Sequence, residues 1–339
     1  MKQEEQWGGA SYTKLEKTGY KVIYKNDFAY NPARINVGSI GLYTEADPCI
    51  VSSLYVCFRT NEYLDSDYLF YFFKSSFFLK KVIATSEGGV RSYFFFDKLQ
   101  KVTMSMPSME EQKKVASFLK VIDNRIATQN KIIKEKEALR DFNLRRIFSL
   151  QGEHKALSSF FSFGKAGGTP NSTNKIYYGG DIPFLSISDV TEQGKYINRT
   201  EKTLSELGLR SSSSWLVPAH SLILSMYASV GLPAINEMPL ATSQAMFAMV
   251  PNNADDLEFL YYYLLYFKKM KLCKYLETGT QSNVNADFVK NIMVPVVDDA
   301  KREHIVSVLK GLDDSIELEK KILQKMELQK RYLLRNLFI

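Results

Sequence analysis

Histidine and cysteine are scarce in this chain, and their scarcity removes whole classes of chemistry. The three histidines, His154, His220 and His304, stand alone, none with a partner at metal-ligand spacing. The three cysteines, Cys49, Cys57 and Cys273, form no CxxC pair and cannot all pair with one another, which fits a reducing cytoplasm better than secretion. No GxGxxG cofactor loop and no GxSxG nucleophile elbow is present. The phrase GKAGGTP at 164–170 invites a phosphate-loop reading, but Ala166 follows Gly164-Lys165 and position 159 is Ser where the motif needs its first Gly. Asn31-Pro32 and Asp47-Pro48 lack the second proline and the aromatic of the Asn/Asp-Pro-Pro-Tyr motif with which amino-methyltransferases hold a base. Long apolar runs are missing too. The richest, YLFYFFKSSFFL at 68–79, is broken by Lys74, Ser75 and Ser76 and predicts a buried amphipathic helix, and the N-terminal residues show no signal region. These absences argue against a catalytic constellation, a metal, a cofactor or a membrane partner.

What is present points elsewhere. With 339 residues the chain can bury two cores, and 45% hydrophobic with 24% charged residues is ordinary for a folded protein. Aromatics make up 13%, almost all Phe and Tyr. A formal charge of +7 leans towards a polyanionic partner, since basic surface raises encounter rates with phosphate backbones.

The strongest pattern is a repeat. FLKVIDNRI at 118–126 returns as VLKGLDDSI at 308–316. The same offset places Ser39-Ile40-Gly41 on Ser229-Val230-Gly231, Leu69–Phe73 on Phe259–Tyr263, Gly89 on Gly279, Asp97 on Asp287 and Arg145–Phe148 on Arg335–Phe338. Each copy predicts the same order: a Gly-, Ser- and Thr-rich region with strands, an aromatic helix at about 65–82 or 255–275, a glycine loop, a short strand and a long helix. Strands are expected in INVGSIGLY and SLYVCF of the first copy, and in IPFLSIS, SLILSMY and QAMFAMV of the second.

The long helices, about 110–148 and 300–338, carry one narrow apolar stripe each: Leu119, Ile122, Ile126 and Ile133 in one, Leu309, Leu312, Ile316 and Leu323 in the other. Either each stripe lies on its own domain or the two pair as an antiparallel coiled coil. The second reading is preferred, because a helix of this length overruns a small domain.

Between them lies a loop-rich stretch in which small residues alternate with cations and tyrosines. Lys165, Lys175, Lys195 and Arg199 could meet phosphates, and Gly168, Thr169, Tyr177, Tyr178, Ser186, Ser188 and Tyr196 could approach a backbone or read base edges. Gln281, Ser282 and Asn283 of the second glycine loop are further candidates. Tyr30, Arg34, Asn36, Ser39 and Arg91 are their counterparts in the first copy.

The segment GGTPN…YYGGDIPFLSISDV, the Ser-Val/Ile-Gly element, and the paired phrases PSMEEQKKVASFLKVIDNRI and PVVDDAKREHIVSVLKGLDDSI together resemble the DNA specificity (S) subunit of type I restriction–modification systems. The resemblance runs from about Tyr20 to the end. It implies an α+β chain of two tandem α/β target-recognition domains, separated by two long helices that pair as an antiparallel coiled coil with pseudo-twofold symmetry. The expected divisions are 1–107 and 151–297 for the domains, and 108–150 and 298–339 for the helices. It further implies double-stranded DNA as ligand, read as a split site, two methylation (M) subunits docked on the helices, and restriction (R) subunits in the full complex. Methyl transfer and ATP-driven cleavage would belong to those partners, and association with a second copy is left open. The helices would act as a ruler, with half-site centres about 34–36 Å apart.

One departure stands out. The second copy starts near Lys155 and passes through the whole loop-rich stretch before it reaches Trp215-Leu216-Val217-Pro218, whereas the first begins its counterpart, YKVIYKNDFAYNP, already at Tyr20. The first recognition domain is therefore expected to lack its N-terminal part. A structural coiled-coil adaptor, or a decayed and inactive specificity subunit, are the competing readings.

Overall fold

The computed structural model describes residues 19–85, 93–149, 152–272 and 284–338. It divides into two compact units, residues 1–132 with 319–339 and residues 133–318. The expected cuts at 107/108, 150/151 and 297/298 differ from this division, because each long helix is shared between the units.

In the first unit, β1 (Lys21–Ile23) pairs with β4 (Cys49–Val51), while β2 (Asp27–Tyr30) lies antiparallel between β3 (Ile40–Leu42) and β5 (Val56–Arg59). The predicted strand at 35–43 forms only in part. Ile35–Val37 winds into a 3-10 turn that stops at Gly38, whose φ of 83° suits a residue without Cβ, and β3 begins after it. The aromatic helix divides likewise into α1 (Ser66–Phe73) and α2 (Ser76–Thr85). Asp65 caps the first by accepting from Tyr68 N at 2.9 Å, and the Ser75 hydroxyl takes the Phe78 N–H at 3.2 Å, opening a new helix. A short helix, α3 (Phe96–Gln100), precedes the long α4 (Met109–Phe148). Phe28, Tyr30, Tyr68, Phe72, Phe78 and Phe94 make the core, closed by Leu119, Leu334 and Phe338 from the long helices. Each such ring contributes about 1.5–3 kcal/mol of burial.

The second unit repeats this plan and adds to it. Its strands are β6 (His154–Ala156), β7 (Phe161–Ala166), β8 (Tyr178–Leu185), β9 (Tyr196–Ile197), β10 (Lys202–Leu204), β11 (Leu216–Val217), β12 (Leu222–Ser225), β13 (Pro233–Asn236), β14 (Leu240–Thr242), β15 (Met246–Pro251) and β16 (Met293–Pro295). Its helices are α5 (Ile187–Gln193), α6 (Glu206–Arg210), α7 (Asp256–Phe267), α8 (Ala286–Lys290) and α9 (Asp299–Asn336). β12 lies between β13 and β15 as β2 lies between β3 and β5, and β11 pairs β14 as β1 pairs β4. The repeat is thus one of topology. Beyond the shared strands, β7 flanks β15, β9 flanks β13, and β8 joins β14 in parallel with β10 outside it. Among the described residues the first unit has no strands matching β6–β10. Ile50 of β4 is 47% exposed, while Leu240, its counterpart on β14, is fully buried in a cluster with Leu185, Val190 and Ile197.

The same difference accompanies a missing strand. β16 pairs with β6, whereas its first-copy counterpart, VTMSMP, has no such neighbour among the described residues and forms no strand.

The helices α4 and α9 span 40 and 38 residues, about 60 and 57 Å. Within the first unit they run antiparallel, with Lys330 on Asp123 and Gln129 Nε2 donating to Glu319 O at 3.1 Å. Within the second, Lys136 Nζ meets Ser315 Oγ at 2.6 Å and Arg140 meets Asp313 at 2.9 Å, again in reversed order. Ile122, Ile133 and Ile316 are buried outside the domain cores, as members of a helix seam should be. Ile126, Leu312 and Leu323 are half-buried. Leu119 and Leu309 are wholly buried in clusters that combine the aromatic core of their own unit with residues of the other long helix, Leu334 and Phe338 for the first and Leu144 and Phe148 for the second.

Candidate nucleic-acid interface

Cations can serve a phosphate backbone only if they reach solvent, and the predicted residues divide on that test. Lys165 on β7, Thr169, Lys175 and Arg199 are exposed. Tyr177 and Tyr178 are half-buried, and the Tyr178 hydroxyl donates to Pro170 O at 2.8 Å. Arg199 is held by Glu192 at 2.5 Å with both side chains well exposed, so solvent screens the pair and a phosphate could displace the carboxylate.

The loop from β7 to β8 is fixed from beneath by close backbone approach. A Cβ on Gly167 would fall 2.0 Å from Thr242 O, and one on Gly168 would fall 2.7 Å from Ser213 N. Gly208 stands equally tight, 2.1 Å from Tyr177 O. Ser213 Oγ donates to Gly167 O at 3.2 Å and Ser205 Oγ to Ile176 O at 2.7 Å, so the loop is stitched to the 205–214 segment. Thr203 pairs with Pro183 and Leu204 with Tyr178, which throws residues 179–182 out of the ladder at Gly179, φ 80°. Exposed Thr169, Thr173 and Lys175 therefore share a surface with exposed Arg210, Ser211 and Ser213. Those last three were missed from the sequence, where the four serines at 211–214 directly after a basic residue were the available signal.

Ser186 and Ser188 stand at the start of α5. Ser186 is its N-cap in a reciprocal capping box with Asp189, and its hydroxyl lies 2.8 Å from that of Ser188. Ser188 is exposed and Ser186 partly so. In the neighbouring β12–β13 loop, Tyr227 is 42% exposed beside Ser229 and Gly231, both at positive φ. It is another residue that sequence reasoning passed over. The equivalent β2–β3 loop of the first unit exposes Arg34 and Asn36, with Ser39 half-buried.

Two predicted contacts lie inside the protein and are corrected. Tyr30 is fully buried against Phe58, and burial with the nearby Asp97 charge pushes its hydroxyl pKa up to about 12. Lys195 is ion-paired with Glu258, donates to the Tyr262 hydroxyl at 2.9 Å and lies over three tyrosine rings, those of 196, 261 and 262. Burial lowers its pKa and Glu258 only partly offsets that. Tyr196 donates to the same carboxylate. A buried ammonium needs such a partner. Gln281, Ser282, Asn283 and Arg91 lie outside the described residues.

Among the described residues, no three His, Cys, Asp or Glu side chains are grouped to hold a metal, and no helix is long and apolar enough to cross a membrane.

The family model of the type I restriction modification DNA specificity domain matches this chain twice, over residues 5–138 and 152–328. The specificity subunit of the type I restriction enzyme MjaIX from Methanocaldococcus jannaschii is 31% identical over 51% of this chain and 40% of its own length. That of HindI from Haemophilus influenzae is 31% identical over 49% of this chain and 37% of its length. These matches thus span well under half of those relatives. In fold, the chain is similar to one from a structure describing complex assembly and conformational transition of the type I R-M system, with TM-score 0.65 and 17% identity over 94% of this chain and 84% of that one.

Proposed function

This chain belongs to the family of type I restriction modification DNA specificity domains, and from that premise we propose that it is the DNA-reading subunit of such a complex, binding double-stranded DNA at a split site in the cytoplasm. The observation that carries this reading is the double family match, one for each copy of the repeat. The second unit is the fuller reader, through the surface built from Thr169, Thr173, Lys175, Ser186, Ser188, Arg199, Arg210 and Ser213; the first contributes Arg34 and Asn36. Lysine and arginine hold the phosphates, and hydroxyl and amide groups reach base edges.

The helices dock two methylation subunits. Phe118 and Tyr332 in the first unit, and Phe142 and Val308 in the second, protrude from the helices, as do Val121, Leu139, Leu318 and Leu328. The offset of the repeat relates Phe118 to Val308 and Phe142 to Tyr332, as two equivalent docking sites require. Restriction subunits complete the assembly, and chemistry resides in those partners.

Mapping of N6-methyladenine in cells carrying this chain with its methylation subunit tests the reading. A split motif with two different halves is expected. An absence of any motif, with the same methylation subunit active beside another specificity subunit, would leave only an adaptor role.

A further inference from the structure

The aromatic helix of each unit is tied to the long helices at two points, and the two units keep the same spacing between those points. In the first unit the Tyr71 hydroxyl donates to Asp123 Oδ2 at 3.1 Å, and Lys330 pairs with the other carboxylate oxygen. In the second, Tyr262 donates to Asp313 Oδ2 at 3.0 Å and Arg140 to Oδ1 at 2.9 Å. Asp123 and Asp313 occupy the same position of the repeat, and so do Arg140 and Lys330.

The second tie lies at the start of each aromatic helix. Gln112 Oε1 accepts from Asp65 N at 2.8 Å, and Arg302 Nη1 pairs with Asp256 at 3.0 Å. The step from Asp65 to Tyr71 equals that from Asp256 to Tyr262, and the step from Gln112 to Asp123 equals that from Arg302 to Asp313. The latter is about three helical turns, so both anchors of a long helix lie on one face.

Apolar packing alone has no direction and would let an aromatic helix slide or roll. Two directional ties set its height and its rotation together. In the second unit the tie continues inward, because Lys195 donates to the Tyr262 hydroxyl at 2.9 Å, and Lys195 ends the segment that carries Ser186 and Ser188. The reading segment is thereby joined through Lys195, Tyr262 and Asp313 to α9, and through Arg140 to α4.

We propose that Asp123 and Asp313 are positioning residues for split-site reading, each locking its unit's reading surface to its own stretch of the helix pair, so that together they set the spacer length accepted between half-sites. This rests on the reading proposed above. The anchors differ in chemistry between units, Gln against Arg and Lys against Arg, while their positions are kept, which is what a geometric role demands.

The test is N6-methyladenine mapping with the full chain and its methylation subunit, comparing Asp313→Ala, Tyr262→Phe and Arg140→Lys with the parent. The parent is expected to methylate its half-sites at one spacer length. Asp313→Ala and Tyr262→Phe should keep the half-site sequences but methylate spacers one base pair shorter and longer about tenfold more than the parent, the order of one lost charge-assisted hydrogen bond. Arg140→Lys, which installs the pair of the other unit, should retain the single spacer. Tyr262→Phe keeps the ring and the fold, so it decides the matter if Asp313→Ala unfolds. Single-spacer methylation by Tyr262→Phe at parental level overturns the proposal, as does its loss of all methylation while unfolding like the parent. A parent without any motif defeats the DNA-reading function instead.

Discussion

Gln112 and Arg302, equivalent positions of the repeat, hold the first turn of their units' aromatic helices from two different long helices. One does so as a neutral amide, donating also to Tyr63 O and Pro107 O, and the other as a cation with Asp256 and Asp299. Their replacement should therefore differ in cost. Arg302→Ala strands the largely buried Asp256 and should cost about 3–5 kcal/mol. Gln112→Ala leaves the Asp65 N–H and two carbonyls short of a partner and should cost about 1–3 kcal/mol. Urea unfolding of the two variants measures both, and equal losses would count against the distinction.

Lys195 and Lys175 give a second contrast. Lys195→Ala leaves Glu258 without its cation and should destabilise the second unit by about 3 kcal/mol, visible as a lowered unfolding midpoint. Lys175→Ala touches a solvated side chain, so stability should stay within about 0.5 kcal/mol. DNA affinity should fall for all sequences, and the slope of log K against log salt should shrink by about 0.9. An unchanged slope for Lys175→Ala would remove it from the phosphate contacts.

These two lysines also mark what the sequence could and could not disclose. The repeat and both long helices were legible because periodicity is local and survives substitution. The direction of Lys195 was not, because its partners Glu258 and Tyr262 are distant in the chain and a cation among tyrosines reads alike in a loop or a core. Tyr30 failed for the same reason, since its packing against Phe58 is set by strand pairing. The stripe of α4 and α9 was seen, but not that Leu119 and Leu309 also enter the domain cores while Ile122, Ile133 and Ile316 are buried outside them.

The glycines beneath the β7–β8 loop predict steric selectivity. Gly167→Ala would place a methyl against Thr242 O and should dislodge the loop, abolishing DNA binding even if the sheets survive. Gly179→Ala has open space around it and only a positive φ to accommodate, a cost of about 1–2 kcal/mol. Gel-shift titration of the two variants should find the first inactive and the second weakened modestly at most.

A pH effect follows from Asp27 in the first unit. Burial raises its pKa, but the Arg59 hydrogen bond at 2.6 Å, the Tyr24 N–H at 2.7 Å and the Arg59 charge together hold it below the usual carboxylate range. With the folded-state pKa below the unfolded one, the stabilisation is complete above the ordinary carboxylate value and is lost as pH falls through the folded value. The stability difference between the parent and Asp27→Asn should therefore shrink from about pH 6 to about pH 3. A difference that stayed constant over that range would mean that the Asp27 charge contributes nothing.

Phe118 and Phe142 carry the last prediction. Each residue is about half exposed or more, on a helix whose other outward positions are mostly charged. The repeat offset gives Phe118 the counterpart Val308 and Phe142 the counterpart Tyr332, so each unit presents one of these phenylalanines; in a protein interface a single ring can carry about 2 kcal/mol or more, about thirtyfold in affinity. Replacing either by glutamate should leave unfolding within about 0.5 kcal/mol of the parent, since no core contact is lost. Each variant should still bind one methylation subunit, and the double variant none, as read by light scattering of the purified complex. Two subunits retained on the double variant would move the docking surface off the helices. One subunit lost on either single variant would identify the two sites as independent, with each ring serving the unit that presents it.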